Sequence, residues 1–135
     1  MADYPSATEE QIKEGKGLAW LSYLGILFLV PLLSNKDNPF SRWHAVQGMT
    51  LLIAYVIWII LGVIIGAIIG AIGRFTVIGG ICAVVWLIIS IAVWILVAVF
   101  AIIGIIKAAS GKFSKIPVIG AWGASIFKGL IPGAQ

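Results

Sequence analysis

Between Ala45 and Ile106 the chain runs for 62 residues with a single formal charge, Arg74. A hydrophobic run of roughly 18 residues already reads as a membrane span, and this one far exceeds that length. It is also too long and too uniform for a soluble core. With 61% of residues hydrophobic and 10% charged, the composition lies outside the ordinary globular range. The sequence therefore reads as an all-α integral membrane protein that crosses the bilayer more than once.

Residues 1–17 form a polar, net acidic tail, with Asp3, Glu9, Glu10 and Glu14 against Lys13 and Lys16. A secretory signal needs a basic start, so the first apolar segment is expected to stay as an anchor. Within the tail, Ser6 to Glu9 and Thr8 to Gln11 each have capping-box spacing, which predicts a short helix over about Glu9 to Lys16. Residues 18–135 then read as a single helical membrane domain. Its expected spans are about 18–33, 42–73 and 77–106, with a turn at Ser34 to Pro39 and a hairpin at Gly73 to Thr76. The second and third spans are longer than a bilayer core requires, so they tilt, protrude or break at glycine.

After Lys107 a polar connection leads to residues 116–131, where Ile119, Trp122, Ile126 and Leu130 fall at helical spacing between lysines. This predicts a C-terminal interfacial amphipathic helix, making three transmembrane helices, with four as the alternative if that segment crosses. With three spans, six Lys/Arg face three across the membrane, which favours an outside N-terminus and a cytoplasmic C-terminus. Lys107, Lys112, Lys115 and Lys128 are expected to contact lipid headgroups.

The polar groups that could carry function gather where the second helix begins: Asp37, Asn38, Arg42, His44 and Gln47. His44, Gln47 and Gly48 share one helix face. An imidazole and an amide at that depth need partners, and Ser22 and Gly25 on the preceding segment are expected to meet that face. Two readings stand for His44: a proton-responsive or ligand-contacting group, or one half of a helix-packing hydrogen-bond pair with Gln47, the second being preferred. Asp37 and Asn38 suit the helix N-terminus as caps. Gly62, Gly66 and Gly70 make a small-xxx-small ladder, a packing signal for another helix of this chain or of a second copy. Trp20, Trp43 and Trp122 are expected in the interfacial belt, with Trp58, Trp86 and Trp94 deeper.

Catalysis is disfavoured directly. No Asp or Glu follows Asp37, so paired carboxylates and acidic proton relays are missing from the membrane part. One His and the lone Cys82, expected as a small buried hydrophobe, make no metal site. Cofactors and nucleic acid are not expected; the bilayer, a homo-oligomer or another membrane protein are the expected partners.

Leu21 to Leu33, Lys36 to Phe40, His44 to Gly48, Ile106 to Gly111 and Lys115 to Gly120 resemble a family of small prokaryotic membrane proteins grouped with the channel subunit of the chloroplast inner-envelope Tic translocon. That family also includes magnetosome membrane proteins that influence crystal growth. The resemblance implies a small helical, multi-pass membrane protein of a prokaryotic inner membrane. The expected function is a non-enzymatic membrane subunit that associates through helix packing. One alternative is an oligomeric channel or protein-translocation component, and another is a membrane-shaping or lipid-organising protein.

Overall fold

The computed structural model describes residues 4–73 and 76–131. Among them every regular element is helical: α1 (Glu9–Ala19), α2 (Leu29–Ser34), α3 (Pro39–Gly73), α4 (Val77–Ala109) and α5 (Gly120–Ile126), with 3-10 turns at Trp20–Tyr23, Gly25–Phe28 and Lys128–Leu130. The chain divides into two compact units. One comprises residues 1–52 and 99–135, and the other Ile53–Ala98.

The second unit is a helical hairpin. Its part of α3, residues 53–73, is 21 residues long, and its part of α4, residues 77–98, is 22. At 1.5 Å per residue these measure about 32 and 33 Å, close to the roughly 30 Å hydrocarbon core of a bilayer. Trp58 stacks on Trp86 with ring centroids 5.2 Å apart, and Tyr55 meets Trp94 edge-on at 5.2 Å. The deep aromatics thus pair across the hairpin. Arg74 and Phe75 of the expected hairpin turn lie outside the described residues, but Thr76 caps α4 by accepting from the Gly79 amide at 3.2 Å.

Most large aliphatic side chains of this unit face outward, among them Val63, Ile64, Ile68, Ile78, Ile81 and Leu87. A continuous Ile/Val/Leu surface of this kind is stable in lipid and not in water. Cys82 shares that surface; it is exposed, not buried as expected. Among the described residues, α3 and α4 are the two helices long and apolar enough to cross a membrane.

The first unit departs from the sequence expectation at both ends. Residues 18–33 do not form one spanning helix. Gly25 opens the second of these 3-10 turns at φ +64°, a conformation that interrupts helix propagation. Ser22, Tyr23, Phe28 and Pro31 turn inward and are buried, so this segment serves protein packing as well as any contact with lipid. The C-terminal segment likewise is not one helix over 116–131 but the short α5 and a 3-10 turn.

Local chemistry explains the remaining boundaries. Thr8 caps α1 with a full capping box to Gln11, choosing the second of the two spacings present in the tail. Asn38 caps α3: its Oδ1 accepts from the Phe40 and Ser41 amides at 3.0 and 3.1 Å, with Pro39 in the first helical position. α4 stops in a Schellman motif. The Lys112 amide donates to the Lys107 carbonyl at 2.9 Å and the Gly111 amide to Ala108 at 3.2 Å, with Gly111 at φ +74°.

Candidate functional site

The first turns of α3 carry a row of side chains that bind backbone on other segments of the same unit. Trp43 Nε1 donates to the Ser114 carbonyl at 2.8 Å. His44 Nε2 lies 2.9 Å from the Lys112 carbonyl, which accepts only, so this nitrogen carries the proton. Gln47 uses both ends of its amide: Nε2 donates to the Gly120 carbonyl and Oε1 accepts from the Ile116 amide, each at 3.0 Å. Three residues of one helix face thereby hold residues 112–120 in register.

A second set of contacts reaches the segment that follows α1. The Tyr23 hydroxyl lies 2.7 Å from His44 Nδ1. Burial pushes the Tyr23 phenol above its ordinary range, so it stays protonated and donates to Nδ1. The imidazole is then the neutral tautomer, with one nitrogen on each neighbouring segment. Arg42 bridges in the same way, donating from Nε to the Leu130 carbonyl and from a terminal nitrogen to the Leu32 carbonyl at 2.6 Å. The Leu32 carbonyl lies in the last turn of α2, where backbone acceptors lack helical partners.

Aromatic rings fill the space around these bonds. Phe113 stacks on Tyr4 at 5.3 Å and meets Phe40 edge-on at 5.1 Å, while Phe40 packs against His44 at 4.7 Å. His44, Gln47, Phe40 and Trp43 are all buried. Trp43 therefore belongs to this core and not to the interfacial belt. Phe113 and Tyr4 carry no sequence signal beyond being aromatic residues within polar stretches.

The expected site residues are placed as follows. Gly48 lies directly against the Ser22 backbone, so those two are brought together. Gly25 has open space beside it and acts as a turn residue, not a packing one. Gly62 faces the Trp86 ring at 3.8 Å, whereas Gly66 and Gly70 have nothing within 4 Å among the described residues, so the hairpin does not use the ladder. Asp37 is exposed, as are Lys107, Lys112 and Lys128; Lys115 is half-buried, 5.6 Å from the Tyr4 ring centroid. The small face of α5 had gone unread: side chains at Gly120 and Gly123 would overlap Gln47 and Thr50. Among the described residues no group of His, Cys, Asp and Glu is arranged to hold a metal ion.

A sequence profile described as the magnetosome magnetite crystal formation protein family matches residues 14–123. The chain belongs to that family. Its relatives include magnetosome protein MamF of Paramagnetospirillum magneticum, 53% identical over 34 residues, and magnetosome protein MamF of Magnetospirillum gryphiswaldense, 50% identical over 34 residues. Each match covers 25% of this chain and 31% of the relative, so the chain aligns with about a third of the length of the curated relatives. No solved structure matches it. The magnetosome side of the family resemblance is thus established, and the grouping with the Tic translocon subunit finds no support in these matches.

Proposed function

We propose that the chain is a non-enzymatic subunit of the magnetosome membrane, with a two-helix anchor and a folded platform that takes part in crystal formation without catalysing a reaction. The observation that carries this reading is the use of the polar cluster: Trp43, His44 and Gln47 all bind main-chain groups of residues 112–120, as a scaffold requires. A catalytic imidazole or amide would instead direct a polar atom toward a substrate. The role in crystal formation comes from the family's description.

Two crossings put both flanking parts of the chain on one side of the membrane. Of the nine Lys and Arg residues, all but Arg74 lie in those flanks, which assigns them to the cytoplasmic side. The lone Cys82 supplies a test: a membrane-impermeant maleimide should label it only after detergent solubilisation. On a Cys82→Ala background, Ser6→Cys and Ser125→Cys should both react from the cytoplasmic face. Labelling from opposite faces would require an odd number of crossings and overturn the two-helix anchor.

Association with a second copy through the open Gly66 and Gly70 face completes the proposal. Because Gly66 has free space around it, Gly66→Leu should leave the chain folded and shift native mass spectra from oligomer to monomer. An unchanged oligomer would place the interface elsewhere.

A further inference from the structure

The C-terminal segment turns at Val118 in a conformation that a valine side chain disfavours. The Ile119 amide donates to the Pro117 carbonyl at 2.9 Å, and Val118 between them has φ +71°. This is a γ-turn of the rare, strained hand. A β-branched residue at positive φ is an outlier, and glycine would occupy the position without strain. The side chain held there is 89% exposed, so packing within the unit does not offset the strain. Trp122 and Ile126 follow at intervals of four and are 73% and 71% exposed.

The other side of the same segment is engaged by α3. A Cβ at Gly120 would overlap Gln47, and one at Gly123 would overlap Thr50. Thr50 stands three residues before Ile53, where the hydrophobic anchor begins. The segment is therefore held on α3 next to the start of the crossing, with Val118, Trp122 and Ile126 left outside. From Ile116 to Phe127 no Asp, Glu, Lys or Arg interrupts it.

We propose that Val118, Trp122 and Ile126 form a shallow membrane-insertion face, seated about 5–10 Å into the headgroup and upper acyl layer of the bilayer that the hairpin crosses. Transfer of Val118 from water to lipid supplies the gain that offsets its strained backbone. Tryptophan suits that depth, where its ring is buried and its N–H meets headgroup oxygens. The indole N–H is also the one polar side-chain group in the row, so nothing there fixes the orientation of a protein partner, whereas lipid requires no fixed orientation. α5 has 7 residues, about 10 Å of helix, and cannot cross a core of roughly 30 Å. The inference rests on the membrane reading above and adds a non-crossing contact to its two crossings.

Depth-dependent quenching tests it in the full chain. On a Cys82→Ala background, Val118→Cys and Ile126→Cys each carry a nitrobenzoxadiazole label in phosphatidylcholine proteoliposomes. The lipid is spin-labelled either near the glycerol or near the acyl-chain end. Ile64→Cys, within the α3 part of the hairpin, reports on the anchor, and Ser6→Cys reports on water. Both row labels should be protected from aqueous iodide and quenched more by the shallow spin label than by the deep one. Ile64 should show the reverse lipid preference, and Ser6 should respond to iodide alone. No lipid quenching at Ile64 would sink the membrane reading itself. Lipid quenching at Ile64 with iodide-accessible row labels would overturn the insertion face alone.

Two further outcomes also overturn it. Protection from iodide without lipid quenching would assign the row to a protein contact, with a second copy or another part of the chain. Quenching chiefly by the deep label would make the segment a crossing. With the label at Ile126, Val118→Gly with Trp122→Ser should move the label from lipid to water, because glycine keeps the turn while the inserted side chains are lost. Val118→Leu should hold it in lipid. An unmoved label in the Gly/Ser pair would show that the row does not anchor the segment.

Discussion

Gly48→Ala is expected to destabilise the first unit by about 3 kcal/mol and to leave the hairpin 53–98 helical. Intrinsic preference points the other way, since alanine is favoured over glycine inside a helix by about 1 kcal/mol. Geometry decides the sign. A Cβ at Gly48 would overlap the Ser22 carbonyl oxygen and carbon, which are backbone and have no rotamer to escape into. The segment carrying Ser22 and Tyr23 must then move away from α3, taking the Tyr23 hydroxyl off His44. Thermal unfolding in detergent, followed by near-ultraviolet circular dichroism of the aromatic cluster, reads this directly. Gly66→Ala is the matched control: it has open space, so only the propensity gain operates. Ser22→Ala is a second control, because its buried hydroxyl has no hydrogen-bond partner among the described residues and its removal should cost little. Parent-like stability of Gly48→Ala would show that the close approach to Ser22 contributes nothing.

The same contacts explain how much of the molecule was legible in the sequence. The helical class, the hairpin of α3 and α4 and the capping of α1 and α3 follow from hydropathy and local chemistry, and those signals act over a few residues. Residues 18–33 misled because protein interior and lipid are equally apolar. Leu, Ile and Phe at that density satisfy either, and the break at Gly25 depends on a positive φ that composition does not display. Residues 116–131 misled for a related reason. Ile119, Trp122 and Ile126 do fall at helical spacing, but the small residues between them are what α3 holds, through Gly120 on Gln47 and Gly123 on Thr50. Trp122 and Ile126 are left outward.

His44 and Gln47 were legible as polar groups needing partners, and Asn38 as a cap. Their partners were not, because a backbone carbonyl has no sequence signature. The row Trp43, His44, Gln47 reads main-chain positions about 70 residues away, so almost any side chains at 112, 114, 116 and 120 could present the same acceptors and donor. Glycine at 120 is the exception, since it lets the Gln47 amide reach the chain. Side chains with no demand on their partners' identity fit a scaffold that fixes the path of the chain.

Gln47 provides the sharpest test of that scaffold. Gln47→Ala removes both bonds of one buried amide and strands the Ile116 N–H and the Gly120 carbonyl, and each unsatisfied buried group costs about 1–3 kcal/mol. The expected loss is therefore about 2–6 kcal/mol, borne by residues 112–120 before any other part of the first unit. Hydrogen exchange at the Ile116 amide should accelerate strongly, with exchange in the hairpin 53–98 unchanged. Gln47→Glu separates the two halves of the interaction. Its carboxylate can still accept from Ile116, but no longer donates to Gly120, and it faces that carbonyl with negative charge in a buried site. It should therefore be at least as destabilising as alanine despite its matching shape. Slow exchange at Ile116 in both variants would show that residues 112–120 are held by the aromatic cluster around Phe113, and that the amide is incidental to the platform.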